Sequence, residues 1–416
     1  LFLNVWTPAT RVTDRLPVMV WIHGGGFRQG HGGFWAYDGS SLARRGVLVV
    51  TFNYRLGPFG FLAHPALTAE SDDATSGNYG LLDQIAALGW VRDNIAAFGG
   101  DPSRVTIFGE SAGARSVHLL TVSPAAEGLF HRAIAQSGGA FGAMEPLTAR
   151  GGDDAESRGL EIVDELGTGQ DPRVVLRSVT PDVLTEAGRD RSWGPNVDGS
   201  VLPDEPRVLY AEGRFHRVPM ILGSNRDEAI VLLSEPGPTT VAEYRAWLAR
   251  EYGDLADDLF SAYRADTDAD ALPAFLANVG DRDFGWHMDR WARAAADRGV
   301  PVWLYRFDHT YPDPRLAALG AFHGSEIPFV FDTLDALDRV RTEPMAWRDE
   351  DRRVAELLGS YWTHLARDSD PNAPDLPAWP RSDGTGQLLV LDAEPRTAPP
   401  LSKDRLTALD AWHAER

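Results

Sequence analysis

The residues of this chain best suited to chemistry are Gly-Glu-Ser-Ala-Gly at positions 109–113. The apolar run Val-Thr-Ile-Phe at 105–108 precedes them and predicts a buried strand, and residues 112–120 predict a helix. A serine with G-x-S-x-G spacing between a strand and a helix lies on a sharp turn, where flanking glycines leave room for the backbone. Such a turn exposes the hydroxyl of Ser111 and puts the N–H of Ala112 at a helix N-terminus, where developing negative charge is stabilised.

A serine nucleophile also needs hydrogen-bond donors for the oxyanion that its attack creates. Residues 23–27 read His-Gly-Gly-Gly-Phe and follow directly on the apolar run 18–22. Three glycines let backbone N–H groups approach a ligand closely, which is typical of an oxyanion loop. We interpret His23 as a residue that shapes this loop rather than as the base, because it precedes the serine in the chain.

The base and the acid are expected after the serine, in the order serine, acid, histidine. Among the later histidines, His323 differs because it lies in a glycine-bounded loop, Gly-Ala-Phe-His-Gly at 320–324. A base that serves both the serine and the leaving group is suited to such a loop. Asp227 and Glu228 follow the apolar run 220–222. Only one of these two carboxylates can point at the histidine, and the residues alone do not choose between them.

Continuous apolar runs along the chain predict strands that are covered on both faces by helices. The runs lie at residues 18–22, 47–52, 105–108, 133–135, 220–222, 302–305 and 388–391, and residues 1–6 also resemble a strand. Residues 81–95 and 354–365 carry apolar side chains at helical spacing. The alternation predicts an α/β fold with a mostly parallel central sheet, on which ligands bind at the carboxyl ends of the strands.

Two segments, 145–217 and 235–300, consist of charged helical patterns interrupted by glycine and proline. No long linker isolates them, so we expect helical insertions that cap the active site rather than separate domains. The chain has 416 residues, of which 43% are hydrophobic, and can therefore bury a large core. The prediction is a single catalytic domain over residues 1–416.

The composition argues against several classes of partner and chemistry. With 60 acidic and 40 basic residues the net charge is −20, whereas nucleic acids and anionic membranes require a basic surface. There is no cysteine, which excludes disulfides and thiolate chemistry, and no apolar run is long enough to span a membrane. No H-E-x-x-H motif, no histidine cluster and no G-x-G-x-x-G after a strand is present. We therefore expect neither a metal nor a cofactor.

The chain resembles the type B carboxylesterases, the α/β-hydrolase family that includes bacterial carboxylesterases, liver carboxylesterases and cholinesterases. The resemblance spans essentially the whole chain, and the segments that carry it are 1–8, 18–27, 37–40, 53–62, 77–84, 94–102, 109–113, 136–138, 195–199 and 376–380. It implies an α/β-hydrolase fold and a serine esterase that works through an acyl-enzyme. The composition, with Lys403 as the only lysine beside abundant arginine, suggests a bacterial source.

The resemblance also implies roles for individual residues. It assigns the nucleophile, the acid and the base to Ser111, Glu228 and His323. It assigns the oxyanion donors to the N–H groups of Gly25, Gly26 and Ala112. It assigns support of the histidine and of an active-site water to Glu110 and Ser137.

Three features depart from the family pattern. The chain lacks the segment that normally precedes Leu1, Ala229 replaces the usual glycine after the acid, and Arg115 stands on the nucleophile helix. Small or apolar residues are usual at that last position, so Arg115 is expected to change the local packing or the pocket floor. Residues 189–193 match the region that lines the acyl pocket in the family.

We expect the substrates to be neutral carboxylic esters with acyl chains of about two to eight carbons, because a roofed apolar pocket desolvates a compact acyl group. The strong negative charge is expected to disfavour anionic esters. The alternatives are a cholinesterase-like or lipase-like hydrolase and a non-catalytic, neuroligin-like binding protein. Aliphatic residues at 230–232 argue against choline esters, the lack of a long apolar lid argues against lipases, and the complete triad argues against a non-catalytic protein.

The expected partners are the ester substrate and water, and the expected assembly is a monomer or a small homo-oligomer. A cytoplasmic location is favoured over secretion, although the chain begins at Leu1 and carries no information on an upstream targeting signal. Activity is expected to rise with pH as His323 loses its proton, with a midpoint roughly at pH 6–7.

Overall fold

A nine-stranded sheet forms the centre of the computed structural model, which describes residues 1–149, 154–167, 169–382 and 387–415. The strands are β1 Leu3–Trp6, β2 Leu16–Ile22, β3 Leu48–Phe52, β4 Gly100–Glu110, β5 Arg132–Gln136, β6 Met220–Asn225, β7 Val302–Phe307, β8 Leu388–Leu391 and β9 Arg396–Ala398. Their order across the sheet is β1-β3-β2-β4-β5-β6-β7-β8-β9. The two edge pairs, β1–β3 and β8–β9, are antiparallel, and the other pairs are parallel.

Both faces of this sheet are apolar, which explains the continuous hydrophobic runs in the sequence. In β2, Val18 and Val20 pack into the core on one face, whereas Met19 and Trp21 pack into the core on the other. All four side chains are fully buried. Helices therefore cover both faces, and the fold class predicted from the sequence is confirmed.

The helices of the described residues occur between and after the strands. They are α1 Ser40–Arg44, α2 Gly57–Phe61, α3 Pro65–Thr68, α4 Tyr79–Asn94, α5 Ala112–Val122, α6 Ala155–Gly167, α7 Pro172–Ser178, α8 Pro181–Ala187, α9 Pro206–Glu212, α10 Val241–Tyr252, α11 Ala256–Ala262, α12 Asp268–Gly280, α13 Trp286–Ala296, α14 Pro314–Ala317, α15 Ile327–Val330, α16 Leu334–Val340, α17 Asp349–Asp368 and α18 Lys403–Ala414. A π-helical turn, Asp281–Gly285, joins α12 to α13. None of these helices is both long and apolar enough to cross a membrane.

The second predicted insertion, residues 235–300, divides between two layers. Helices α10 to α12 pack with α18 around a separate core that includes Tyr244 and Leu248. Helix α13 instead packs on β6 and β7, and its residues Met288 and Trp291 belong to the core of the sheet. Helix α13 thus covers the sheet itself, whereas α10 to α12 form a layer with a core of their own, a division that helical spacing alone does not reveal.

The two largest differences from the predicted strands concern β4 and β9. Strand β4 begins at Gly100, five residues before the predicted apolar run, because Gly100 pairs with Leu16 of β2 across a register shift that passes over residues 101–104. Strand β9 was missed because it is three residues long, lies at the edge of the sheet and contains no apolar run. Neither difference moves the strand ends that position the candidate site.

Candidate active site

Ser111 lies at the sharp turn between β4 and α5, as the G-x-S-x-G spacing predicts. Its backbone has a φ of 56° and a ψ of −121°, a conformation that costs energy for a residue with a side chain. The N–H of Ser111 donates to the carbonyl of Gln136 at 2.8 Å, and its own carbonyl accepts from the N–H of Arg115 at 2.9 Å. These bonds hold the strained residue between the end of β5 and the first turn of α5.

The glycines around Ser111 are required by a close approach of two backbones. A Cβ on Gly113 would lie 1.9 Å from the carbonyl oxygen of Ile22, the last residue of β2. A Cβ on Gly109 would lie 2.6 Å from the carbonyl carbon of Gly113. The turn therefore packs directly on the end of β2, which brings the serine next to the loop that follows β2.

The glycine-rich loop 23–27, in which oxyanion donors are expected from the sequence, also depends on glycine conformations. Gly25 and Gly26 have φ values of 101° and 64°, in the left-handed region. A Cβ on Gly25 would lie 2.1 Å from the carbonyl oxygen of Gln29. Among the described residues, no hydrogen bond occupies the N–H groups of Gly25, Gly26 or Ala112. These amides are therefore free to donate to a ligand.

His23 shapes this loop, as the sequence analysis expects. Its Nδ1 lies 2.8 Å from the carbonyl oxygen of Gly24, and its ring stacks on Tyr54 with the centroids 4.4 Å apart. The hydroxyl of Tyr54 donates to the carbonyl of His23 at 2.8 Å. Burial lowers the pKa of His23 to about 4, so its ring is neutral at physiological pH.

Glu228 and His323 come together at the carboxyl ends of β6 and β7. Oε2 of Glu228 lies 2.6 Å from Nδ1 of His323, and Oε1 accepts from the N–H of Asn225 at 2.6 Å. Glu228 is 2% exposed, so its carboxylate is held by hydrogen bonds away from bulk solvent. Glu228 is therefore the member of the Asp227–Glu228 pair that points at the histidine.

Asp227 has a different contact, with the backbone of the histidine loop. Its carboxylate accepts from the N–H of Ala321 at 2.8 Å, and its own N–H donates to the carbonyl of Ala321 at 3.0 Å. A Cβ on Gly320 would lie 2.0 Å from Oδ2 of Asp227, and Gly320 has a φ of 68°. Asp227 thus anchors the loop that carries His323, while its neighbour contacts the imidazole.

Three carboxyl groups surround His323. Nε2 of the imidazole lies 3.2 Å from Oε1 of Glu110, and the ring also faces Glu228 and Glu326. Burial lowers the pKa of His323, but the negative charges of Glu110 and Glu228 and the hydrogen bond with Glu228 outweigh burial and raise it to about 10. Burial raises the pKa of Glu110 to about 8. The imidazole therefore binds its proton more tightly than an isolated histidine does.

Sequence reasoning missed Glu326, which is fully buried behind the histidine. Its carboxylate accepts from the side-chain amides of Gln136 at 2.9 Å and Asn225 at 2.6 Å. Burial raises its pKa. The available signal was its position three residues after His323 in the same loop, together with amide residues at the ends of β5 and β6.

Ser137 and Arg115 each contain a buried polar atom without a hydrogen-bond partner among the described residues, Oγ and Nε respectively. Ser137 follows β5 with a φ of 54°, and its N–H donates to the carbonyl of Gly223 at 2.8 Å. Burial lowers the pKa of Arg115. The proposed support of a water by Ser137 and the expected effect of Arg115 on the pocket floor remain predictions.

A cavity of about 830 Å³ brings most of these residues together. Ser111, His323, Glu110, Gly25 and Gly26 line it, and so does Trp193 from the predicted acyl-pocket segment. Phe284, from the π-helical turn, also lines the cavity, and its ring lies 4.7 Å from the imidazole of His323. Throughout the described ranges, no group of three or more acidic or histidine side chains is arranged to hold a metal ion.

Comparisons with known proteins extend over nearly the whole chain. The model of the carboxylesterase family matches residues 1–408. Fumonisin B1 esterase of Sphingopyxis macrogoltabida is 37% identical over 407 residues, which cover 95% of this chain and 73% of that protein. Para-nitrobenzyl esterase of Bacillus subtilis (strain 168) is 37% identical over 411 residues, which cover 95% of this chain and 79% of that protein.

A solved structure of a PNB esterase superposes with a TM-score of 0.81 at 34% identity and covers 98% of this chain and 84% of its own. The family match covers nearly the whole chain, and both of these relatives are more than 30% identical to it. The chain belongs to the carboxylesterase family and is a carboxylic ester hydrolase with the α/β-hydrolase fold.

Proposed function

We propose that this ester hydrolase is a serine carboxylesterase in which Ser111 is the nucleophile, His323 the base and Glu228 the acid. The observation that carries the proposal is the 2.6 Å contact between Glu228 and Nδ1 of His323, beside a cavity that both His323 and Ser111 line. A serine hydroxyl is a poor nucleophile unless a positioned base removes its proton, and that base is most effective when a carboxylate orients it.

The reaction has two steps. In the first, Oγ of Ser111 attacks the carbonyl carbon while Nε2 of His323 takes the hydroxyl proton and then gives it to the departing alcohol. In the second, a water gives a proton to the same nitrogen and attacks the acyl carbonyl carbon. The imidazolium then returns a proton to Oγ of Ser111 as the bond to the acyl group breaks and the carboxylic acid leaves. The N–H groups of Gly25, Gly26 and Ala112 donate to the oxyanion of each tetrahedral intermediate.

Glu110 and Ser137 complete the proposal. Glu110 stabilises the imidazolium that forms in both steps, because its carboxyl lies 3.2 Å from Nε2 of His323. Ser137 supports an active-site water through its buried hydroxyl. Residues 1–416 act as one catalytic unit, since α9 and α13 share the core of the sheet on which Ser111 is mounted.

Substitution Ser111→Ala tests the proposal most directly. The expected loss of kcat for p-nitrophenyl butyrate is on the order of 10⁴-fold or more, because members of a catalytic triad act as a unit. The variant should keep its melting temperature, since the turn is held by backbone bonds and glycines. Ser261→Ala, on the exposed surface of α11, is the matched control. Near-parental activity of Ser111→Ala would refute the assignment.

We further propose that the substrates have compact acyl groups of about two to eight carbons, because the cavity suits a small ester better than a long chain. The kcat/KM for p-nitrophenyl butyrate should exceed that for the palmitate ester. A clear preference for palmitate would instead indicate a lipase. The expectation that the substrates carry no charge rests on the net charge of the chain and takes no account of the charged residues that line the cavity.

A further inference from the structure

The cavity beside Ser111 is positively charged at its rim, although the chain has a net charge of −20. The charged side chains that line it are Arg28, Glu110, Arg189 and His323. Glu110 and His323 lie at the buried inner end and contact each other. Both arginines are exposed and therefore lie at the mouth, where an entering ester meets them first.

The two arginines differ in their partners. Arg189 forms an ion pair with Glu186, and both of these side chains are 66% exposed. Arg28 has no acidic partner among the described residues; its guanidinium donates one hydrogen bond, to the carbonyl oxygen of Arg189. The charge of Arg28 is therefore uncompensated, and its remaining N–H groups are free to donate.

Arg28 is also fixed close to the oxyanion loop. Its backbone N–H donates to the carbonyl of Gly25 at 3.1 Å, and its side chain reaches the segment that carries Arg189 and Trp193. The side chain thus bridges two walls of the same cavity. A guanidinium in this place lines the cavity and keeps N–H groups that an entering substrate can reach.

The local charge outweighs the net charge over contact distances. At physiological ionic strength the Debye length is about 8 Å, so most of the carboxylates on the distant surface are screened from a group inside the cavity. A guanidinium that touches the substrate is not screened in this way, and its planar donors match a carboxylate. The positive charge at the mouth of the cavity, rather than the net charge of the chain, therefore decides whether anionic or neutral esters are preferred.

We propose that Arg28 binds a carboxylate carried by the ester, so that the substrates include compact esters with a second, ionised acid group. The proposal rests on the proposed serine esterase function and replaces its expectation of neutral esters. The carboxylate can belong to the acyl half, as in a monoester of a dicarboxylic acid, or to the alcohol half.

The test compares kcat/KM for monoethyl adipate and ethyl hexanoate, whose acyl chains have the same length and differ in one carboxylate. Arg28→Gln is expected to lower the adipate-to-hexanoate ratio about fivefold, which corresponds to an exposed ion pair of roughly 1 kcal/mol. Arg104→Gln is the matched control: Arg104 also donates to a backbone carbonyl, that of Arg367, and has no ion pair among the described residues. This control should leave the ratio unchanged.

A second pair, 3-acetoxypropanoate and propyl acetate, puts the carboxylate on the alcohol half, and the pair whose ratio falls identifies the half that Arg28 recognises. For that pair, the anionic-to-neutral ratio of kcat/KM in the wild type should also fall as salt is added. In Arg28→Gln the same ratio should not depend on salt. Arg28→Lys should keep most of the wild-type ratio because it keeps the charge. Unchanged ratios for both pairs in Arg28→Gln would overturn the proposal.

Failure of the ester hydrolysis itself is distinguishable. If the wild type turns over neither ester of either pair, the proposed function fails. The charge preference is then decided by calorimetric binding of the four esters to Ser111→Ala with and without Arg28→Gln. Weaker binding of an anionic ester in the double variant supports the proposal, and equal binding overturns it.

Discussion

Two regions of the candidate site are built in different ways. The elbow region, residues 109–113 with the loop 23–27, is held by backbone packing between the ends of adjacent strands. A Cβ on Gly113 would lie only 1.9 Å from the carbonyl oxygen of Ile22, so no side chain fits there. The acid–base region, residues 225–228 with the loop 320–326, is held by side-chain hydrogen bonds between segments 95 residues apart in the chain.

The difference affects how each region tolerates substitution. In the elbow region the constraint is steric, so the residue that matters is a glycine and any added atom displaces the backbone. In the acid–base region the constraint is chemical, since one carboxylate orients the imidazole and its neighbour anchors the loop. Matched substitutions in the two regions should therefore fail for different reasons.

After Ser111→Ala, the largest effect is expected in the acid–base region, from Glu228→Gln. Loss of the carboxylate removes the charge that orients Nδ1 of His323, and kcat should fall on the order of 10³–10⁴-fold. Asp227→Asn is the matched control, because the amide oxygen can still accept from the N–H of Ala321. Its kcat should fall much less, and the reverse ranking in steady-state kinetics would reassign the acid.

In the elbow region, Gly25→Ala is expected to lower kcat about 10²–10³-fold by displacing one donor to the oxyanion. The added Cβ would lie 2.1 Å from the carbonyl of Gln29, at a φ of 101°. Gly33→Ala serves as the control, because a Cβ there meets its nearest neighbour, His31, at 3.5 Å. Equal kcat values for the two variants would show that the loop conformation does not matter for the reaction.

The smallest effect concerns Glu110, which links the two regions because it ends β4 and contacts His323. The pKa of His323 is raised toward 10, so the neutral imidazole that can act as a base forms only at a pH above the ordinary histidine pKa of about 6.5. We therefore expect kcat/KM to rise with pH above about 6.5. Glu110→Gln removes one negative charge, so the rising limb should move to lower pH by about one unit.

The measurement is the pH dependence of kcat/KM for wild type, Glu110→Gln and the exposed control Glu127→Gln. The midpoint belongs to the coupled Glu110–His323 pair rather than to either residue alone. A wild-type midpoint below 6.5, or no movement in Glu110→Gln, would contradict the role of the carboxyl groups. The sequence-based midpoint of roughly 6–7 took no account of them.

The fold was predictable because its information is local and repeated. Each apolar run is long enough to mark a strand buried on both faces, and the helices between runs predict parallel pairing. Strand β9 was not predictable, since a short exposed edge strand has no apolar pattern in the sequence. The placement of α13 was not predictable either, since the spacing of apolar residues in a helix does not show which core they pack into.

The sequence by itself determined the turn at Ser111 and the glycine-rich loop 23–27, because the spacing of glycines next to an apolar run indicates the backbone conformation directly. It also marked His323 through its glycine-bounded loop. The tertiary structure alone decided that Glu228 rather than Asp227 faces the imidazole without reference to a family. It alone revealed the carboxyl group of Glu326 near His323, and Arg28 at the mouth, which has no acidic partner within the part of the chain that the structure describes. These features depend on distances between segments that are far apart in the chain, and only folding sets such distances.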